Sequence, residues 1–171
     1  MTFPVISGSI TGSSSGTTND TAISLPAGIV AGELLLVVFN KDGSDAISSF
    51  TSGWNQLAGT ASGTYNWSAV YWKIADGGDS LTTTTTGFKA GQSWVAYRIT
   101  GHHASTPIEA ATATYYTTTS PSWTAPNSPP LTPAGWGAED TLWLVGYGWD
   151  NGGTTLTAWP AAASDNRLQT V

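Results

Sequence analysis

The sequence predicts an all-β protein: a two-sheet antiparallel β-sandwich of jelly-roll-like form, with an internal pseudo-repeat. Three observations carry this. Residues 34–39, LLLVVF, form an unbroken apolar run closed off by Gly32 before it and by Asn40-Lys41-Asp42-Gly43 after it. That length is too short to span a membrane, and half of the run is β-branched or aromatic, as expected of a central strand buried on both faces. Two later segments, WSAVYWKI (67–74) and QSWVAYRIT (92–100), alternate with the period of two that marks strands. Finally, Pro26-Ala27-Gly28 returns as Pro133-Ala134-Gly135, and at the same offset Leu35 meets Leu142, Leu36 meets Trp143 and Val38 meets Val145. Each copy is followed by a polar Gly/Asp turn and a lone Trp, Trp54 or Trp159.

Taken in order, residues 3–10 read as an edge strand, because Pro4 cannot donate to a ladder and Gly8 weakens the interior. GSSSGTTND (12–20) reads as a loop, and residues 21–25 as a short strand leading into the Pro-Ala-Gly turn. Residues 41–53 are polar and form an excursion at one end. Strands follow at 54–59 and 67–74, and Asp76-Gly77-Gly78-Asp79 is a hairpin turn. The five threonines from Thr82 to Thr86 make a strand, expected to be mostly exposed. After 92–100 come a weaker strand at 108–116 and a Pro/Ser/Thr-rich crossover at 117–131. A second central strand is expected at 142–147, with short pieces at 155–159 and 167–171. The whole is one domain over residues 1–171: a first half to about residue 101, a crossover over about 102–132 and an abbreviated second half over about 133–171.

Composition narrows the function. Charged residues make up 9% of the chain, against about 25% in an average domain. A net charge of −6 with five scattered cations offers no basic patch, which argues against nucleic acid as a partner. The start of the chain, MTFPVISGSI, has neither a basic region nor an apolar core of the secretory kind, so no signal peptide and no membrane partner are expected. With no cysteine, disulfides and thiolate metal sites drop out. Nine tryptophans exceed what a small sandwich core needs and point to faces or interfaces.

No constellation for chemistry emerges, and no catalytic, metal or cofactor site is expected. His102-His103 stands alone, adjacent strand residues pointing opposite ways without a ligand set. Asp42 with Asp45, and Asp76 with Asp79, supply too few oxygens for calcium and suit turns. Glu33 and Glu139 sit at equivalent places in the two copies, which argues for a structural charge at a strand entrance. The chain holds no nucleophile elbow and no phosphate loop, so an enzyme is not expected. The residues that stand out are instead Trp67, Tyr71, Lys73, Trp94 and Arg98, expected to share the outer face of one sheet as a partner surface or sugar-stacking platform, covered by another element if not by a partner. Trp149 and Trp159 are added as interface residues near the C-terminal end.

The phrases LPAGIVAGELLLVVF, SGWNQL, VYWKIADGGDSLTTTTTG and VAYRITG together resemble a recurring β-sandwich domain of tailed-phage virion proteins. Its marks are a Leu-Pro-x-Gly turn, a Gly-Asp/Glu-Leu-Leu strand, a Lys-Ile-Ala-Asp-Gly hairpin and a Tyr-Arg-Ile-x-Gly strand. The likeness runs over residues 21–101, with 141–148 as a second landmark. It implies a non-enzymatic structural protein of a bacteriophage virion, a capsid decoration or cement protein made in the host cytoplasm and displayed on the virion surface. The partners implied are copies of itself and a capsid or other virion protein. The alternative is a carbohydrate-binding or receptor-binding domain that stacks exposed Trp and Tyr rings on glycans. The resembling domains carry further strands after the second Trp, so an open C-terminal edge, filled by a neighbour, is expected here.

Overall fold

The apolar run at 34–39 lies in the middle of a five-stranded antiparallel sheet. The computed structural model describes residues 3–15, 19–43, 45–62, 66–85, 91–108 and 142–146. In chain order its strands are β1 (Val5–Ser14), β2 (Asp20–Ile23), β3 (Leu34–Asp42), β4 (Ile47–Phe50), β5 (Asn55–Ser62), β6 (Asn66–Ile74), β7 (Leu81–Thr85) and β8 (Gln92–Thr100). The larger sheet runs β1-β8-β3-β6-β5 and the smaller β2-β7-β4, with every pairing antiparallel. The two pack face to face as a β-sandwich, as the sequence predicts. Among the described residues no helix is long and apolar enough to cross a membrane.

Alternation decides which side chains meet between the sheets. Leu35, Val37 and Phe39 of β3 face Ile23, Leu81 and Trp54, and all six are buried. Ile47 and Phe50 of β4 close the same core from the side. Phe50 lies 4.9 Å from Tyr71, ring centre to ring centre, in a tilted contact. Leu34 and Leu36 point the other way and are buried as well, together with Ile99. The expectation of a central strand buried on both faces therefore holds.

Other expectations needed revision. β1 is an edge strand, and its register shifts between Ile6 and Gly8, but it extends to Ser14, into the stretch read as a loop. The polar excursion at 41–53 contains β4, which the sparse apolar pattern of ISSF hid. The threonine run is not mostly exposed. β7 is the middle strand of the small sheet, so Thr83 and Thr85 turn inward and are fully buried while Thr82 and Thr84 face out. Residues 142–146 carry no strand assignment, and Trp143, Leu144 and Val145 are exposed. A second central strand is thus not found there. The segment lies instead on the outer side of the large sheet, where Leu142 packs against the Leu34–Leu36–Ile99 cluster. The readings made for 109–141 and 147–171 fall outside the described residues.

Candidate functional site

The phrases that stood out in the sequence converge at one margin of the sandwich, where they lock turns. Gly28 and Gly32 both have positive φ, so the chain between the Pro-Ala-Gly turn and β3 doubles back tightly. Glu33 sits at the centre of this bend. One carboxylate oxygen accepts the Val30 N–H at 2.9 Å and the other accepts the Ser7 hydroxyl at 3.2 Å. Arg98, projecting from β8, brings Nε to 3.1 Å from the same carboxylate and donates through a terminal nitrogen to the Ala27 carbonyl. The Nε contact is an ion pair without the alignment of a hydrogen bond. His102 extends the lock, with Nε2 2.9 Å from the Gly32 carbonyl. Three separate phrases, LPAG, GELL and YRITG, are therefore parts of one clamp.

The KIADGGD phrase forms a second lock. Lys73 Nζ lies 2.8 Å from Asp76 and 2.7 Å from Asp79. Asp79 also accepts the Asp76 and Gly77 amides, and Asp76 accepts the Gly78 amide. The hydrogen bonds that Lys73 donates to Asp76 and then to Asp79 raise its pKa above the ordinary value. The Lys73 hydrogen bond holds Asp76 below its own. Both carboxylates are thus engaged by an ammonium and by backbone N–H groups that turn the chain, the role that turn chemistry assigned them. His103 has a comparable local task, its Nδ1 accepting the Thr106 amide at 3.0 Å. Among the described residues, no three His, Cys, Asp or Glu side chains gather as a metal site would require.

The structure does bring Trp67, Tyr71, Lys73, Trp94 and Arg98 to one face of the large sheet, as expected, but that face is the inner one. Tyr71 pairs across from Val37, Trp94 from Phe39, and Lys73 and Arg98 flank Leu35. Tyr71 is 0% and Trp94 4% exposed, and burial pushes the Tyr71 phenol well above its ordinary pKa. An exposed aromatic platform is therefore corrected to a core wall, covered by β2, β7 and β4. The two indoles lie over glycines of the edge strands. A Cβ on Gly12 would come within 2.4 Å of the Trp94 ring, and one on Gly59 within 3.2 Å of Trp67. The cationic heads of Lys73 and Arg98, at the margin of this face, meet the carboxylates of the two locks. Trp149 and Trp159 lie outside the described residues.

One charged residue that the sequence reading passed over is buried on the same face. Lys41 is 1% exposed, flanked on the inner face by Trp67 on β6 and Gln92 on β8. Its ammonium donates to the Asp42 carbonyl at 3.1 Å. Both amide atoms of Gln92, the Trp67 and Trp94 indole N–H groups and the Tyr71 hydroxyl are buried without a hydrogen-bond partner among the described residues. The signal was available: Lys41 continues the parity of Leu35, Val37 and Phe39 and so points inward.

Fold and locks together define a class of protein, a two-sheet antiparallel sandwich whose conspicuous polar motifs hold its turns. Compared with known proteins, the chain matches no family model, no curated protein and no solved structure.

Proposed function

We propose that the chain is a non-enzymatic structural protein of a bacteriophage virion, a capsid decoration protein that acts through protein–protein contacts with the shell and with copies of itself. The observation that supports this reading is the clamp of Glu33, Arg98 and Ala27. It makes the quoted phrases one cooperating structural unit, so their joint resemblance to virion sandwich domains is more than a scatter of short matches. The polar residues of those phrases are engaged with one another and with the backbone, which suits a load-carrying module better than a catalyst. Exposed apolar side chains at Phe3, Val5 and Val30 suit contact with protein surfaces. The inward placement of Trp67, Tyr71 and Trp94 withdraws these three rings from the sugar-binding alternative.

The test is peptide mass spectrometry on density-gradient-purified particles from the phage that encodes the chain. Recovery in intact particles at a stoichiometry comparable to the shell protein supports decoration. Recovery only in the soluble fraction of the lysate overturns it.

A further inference from the structure

We propose that two copies of this chain pair through β1, edge to edge and antiparallel, so that their five-stranded sheets join into one. The pairing is a property of the free chain and stands whether or not the chain ends on a particle. Among the described strands, β1 and β5 end the large sheet, and β2 and β4 end the small one. An end strand turns alternate N–H and C=O groups away from its own sheet, and natural edges are blunted by shortness, charge, proline or a bulge. β2 and β4 are four residues long, and β2 opens on Asp20. β5 is interrupted by a register shift between Gln56 and Ala58. β1 is ten residues long and holds neither a proline nor a charged residue. Its register shift, between Ile6 and Gly8, leaves residues 8–13 regular. Among the described residues, Phe3, Val5 and Ile10, on or beside β1, are exposed, while β5 exposes no large apolar side chain. β1 is therefore the edge left open.

Charge identifies the occupant as a second copy. No charged side chain precedes Asp20, in a chain whose net charge is −6. Two such molecules repel over their acidic surfaces, and at this edge they meet with no like charges opposed. A strand that pairs antiparallel with its own copy makes an isologous contact, which closes at two chains. Opposed residues of an antiparallel pair share a face, so the outer face of one sheet continues into the outer face of the other. Ser9 and Thr11, opposite Tyr97 and Val95, lie on that outer face, and Ile10, opposite Ala96, lies on the inner one. Hydroxyl side chains thus meet hydroxyl side chains on the outer side, and the exposed Ile10 gains cover on the inner side.

The test is sedimentation of the full chain over a concentration series, with the S9K/T11K variant beside it. Both substituted side chains are exposed and point outward, so the variant is expected to keep its circular dichroism. The unmodified chain is expected to reach twice the 17.7 kDa chain mass, and the variant, with lysines opposed across the pair, to stay at one. An unmodified chain that is monomeric at every concentration overturns the proposal, as does a dimer that survives the substitutions. A monomer that gains mass only when a shell protein is added overturns the choice of occupant. Should the variant fail to fold, hydrogen exchange in the unmodified chain decides the matter. Amides within residues 8–13 are expected to exchange more slowly as concentration rises, and those of β5 at a constant rate. Slowing at β5 instead, or none at either edge, rejects the pairing.

Discussion

Arg98 Nε lies 3.1 Å from Glu33 Oε2 at the point where the turn before β3 meets β8. The contact is mostly shielded from water, and the same guanidinium also holds the Ala27 carbonyl. Cutting it leaves a carboxylate that is 8% exposed with only the Val30 amide and the Ser7 hydroxyl. Breaking one side of a buried pair costs roughly 3 kcal/mol, so Arg98→Ala is expected to lower stability by about that amount in urea denaturation. Arg98→Lys is expected to recover little, since a point charge does not reproduce the planar fork. Wild-type stability in Arg98→Ala would mean that the clamp is incidental.

Gly12 is expected to tolerate no side chain while Trp94 lies over it. Gly12→Ala forces the indole aside in a packed core, an overpacking cost of about 1–3 kcal/mol. The coupling is measured by a double-mutant cycle with Trp94→Leu. If the two substitutions add without interaction, the indole does not depend on the glycine.

Lys41 buries its ammonium in the core, where it donates to the Asp42 backbone carbonyl. Replacing a buried ionic group by an apolar residue of similar volume is often neutral or stabilising by about 1–4 kcal/mol. Lys41→Met is therefore expected to match or exceed the melting temperature of the unmodified chain by calorimetry. A large loss would show that the ammonium is bound more strongly than the Asp42 carbonyl implies.

The hairpin at 75–80 is expected to loosen at both extremes of pH. Asp76 has its pKa lowered by Lys73, so its contribution is present above the ordinary 3.8 and is lost as pH falls through the lower folded value. The Lys73 pKa is raised, so its contribution is present below the ordinary 10.5 and is lost as pH rises past the higher folded value. Amide exchange at Gly77 and Gly78 followed against pH checks both limbs. Asp76→Asn is expected to weaken the acid limb. An unchanged profile would exclude Asp76 as its source.

The strands were legible because period-two alternation survives in WSAVYWKI and QSWVAYRIT, and the central strand because six consecutive apolar residues fit nowhere else. Which face turned inward was not. Val70, Trp72 and Ile74 are as apolar as Trp67, Ala69 and Tyr71, so hydrophobicity alone could not choose between the sets. Lys73 and Arg98 argued for the outside, yet at the ends of their strands they lie on the core face and still meet carboxylates at the margin. The Glu33 clamp joins residues up to 91 apart, and local pattern cannot see such a contact. The small sheet was half hidden because β4 and β7 are built on Ser and Thr, which bury on one face only through strand position.

A strand that is apolar on both faces says little about its own alignment. Sliding β3 by one residue would exchange Leu35, Val37 and Phe39 for Leu34, Leu36 and Val38, at small cost in hydrophobicity, where an ordinary half-polar strand would be strongly penalised. The information that prevents slippage must come from elsewhere. Glu33 at one end finds Arg98 only in the observed alignment, and at the other end the slide would turn Lys41 out of its place between Trp67 and Gln92. The middle of β3 supplies adhesion, and its two charged ends supply the address.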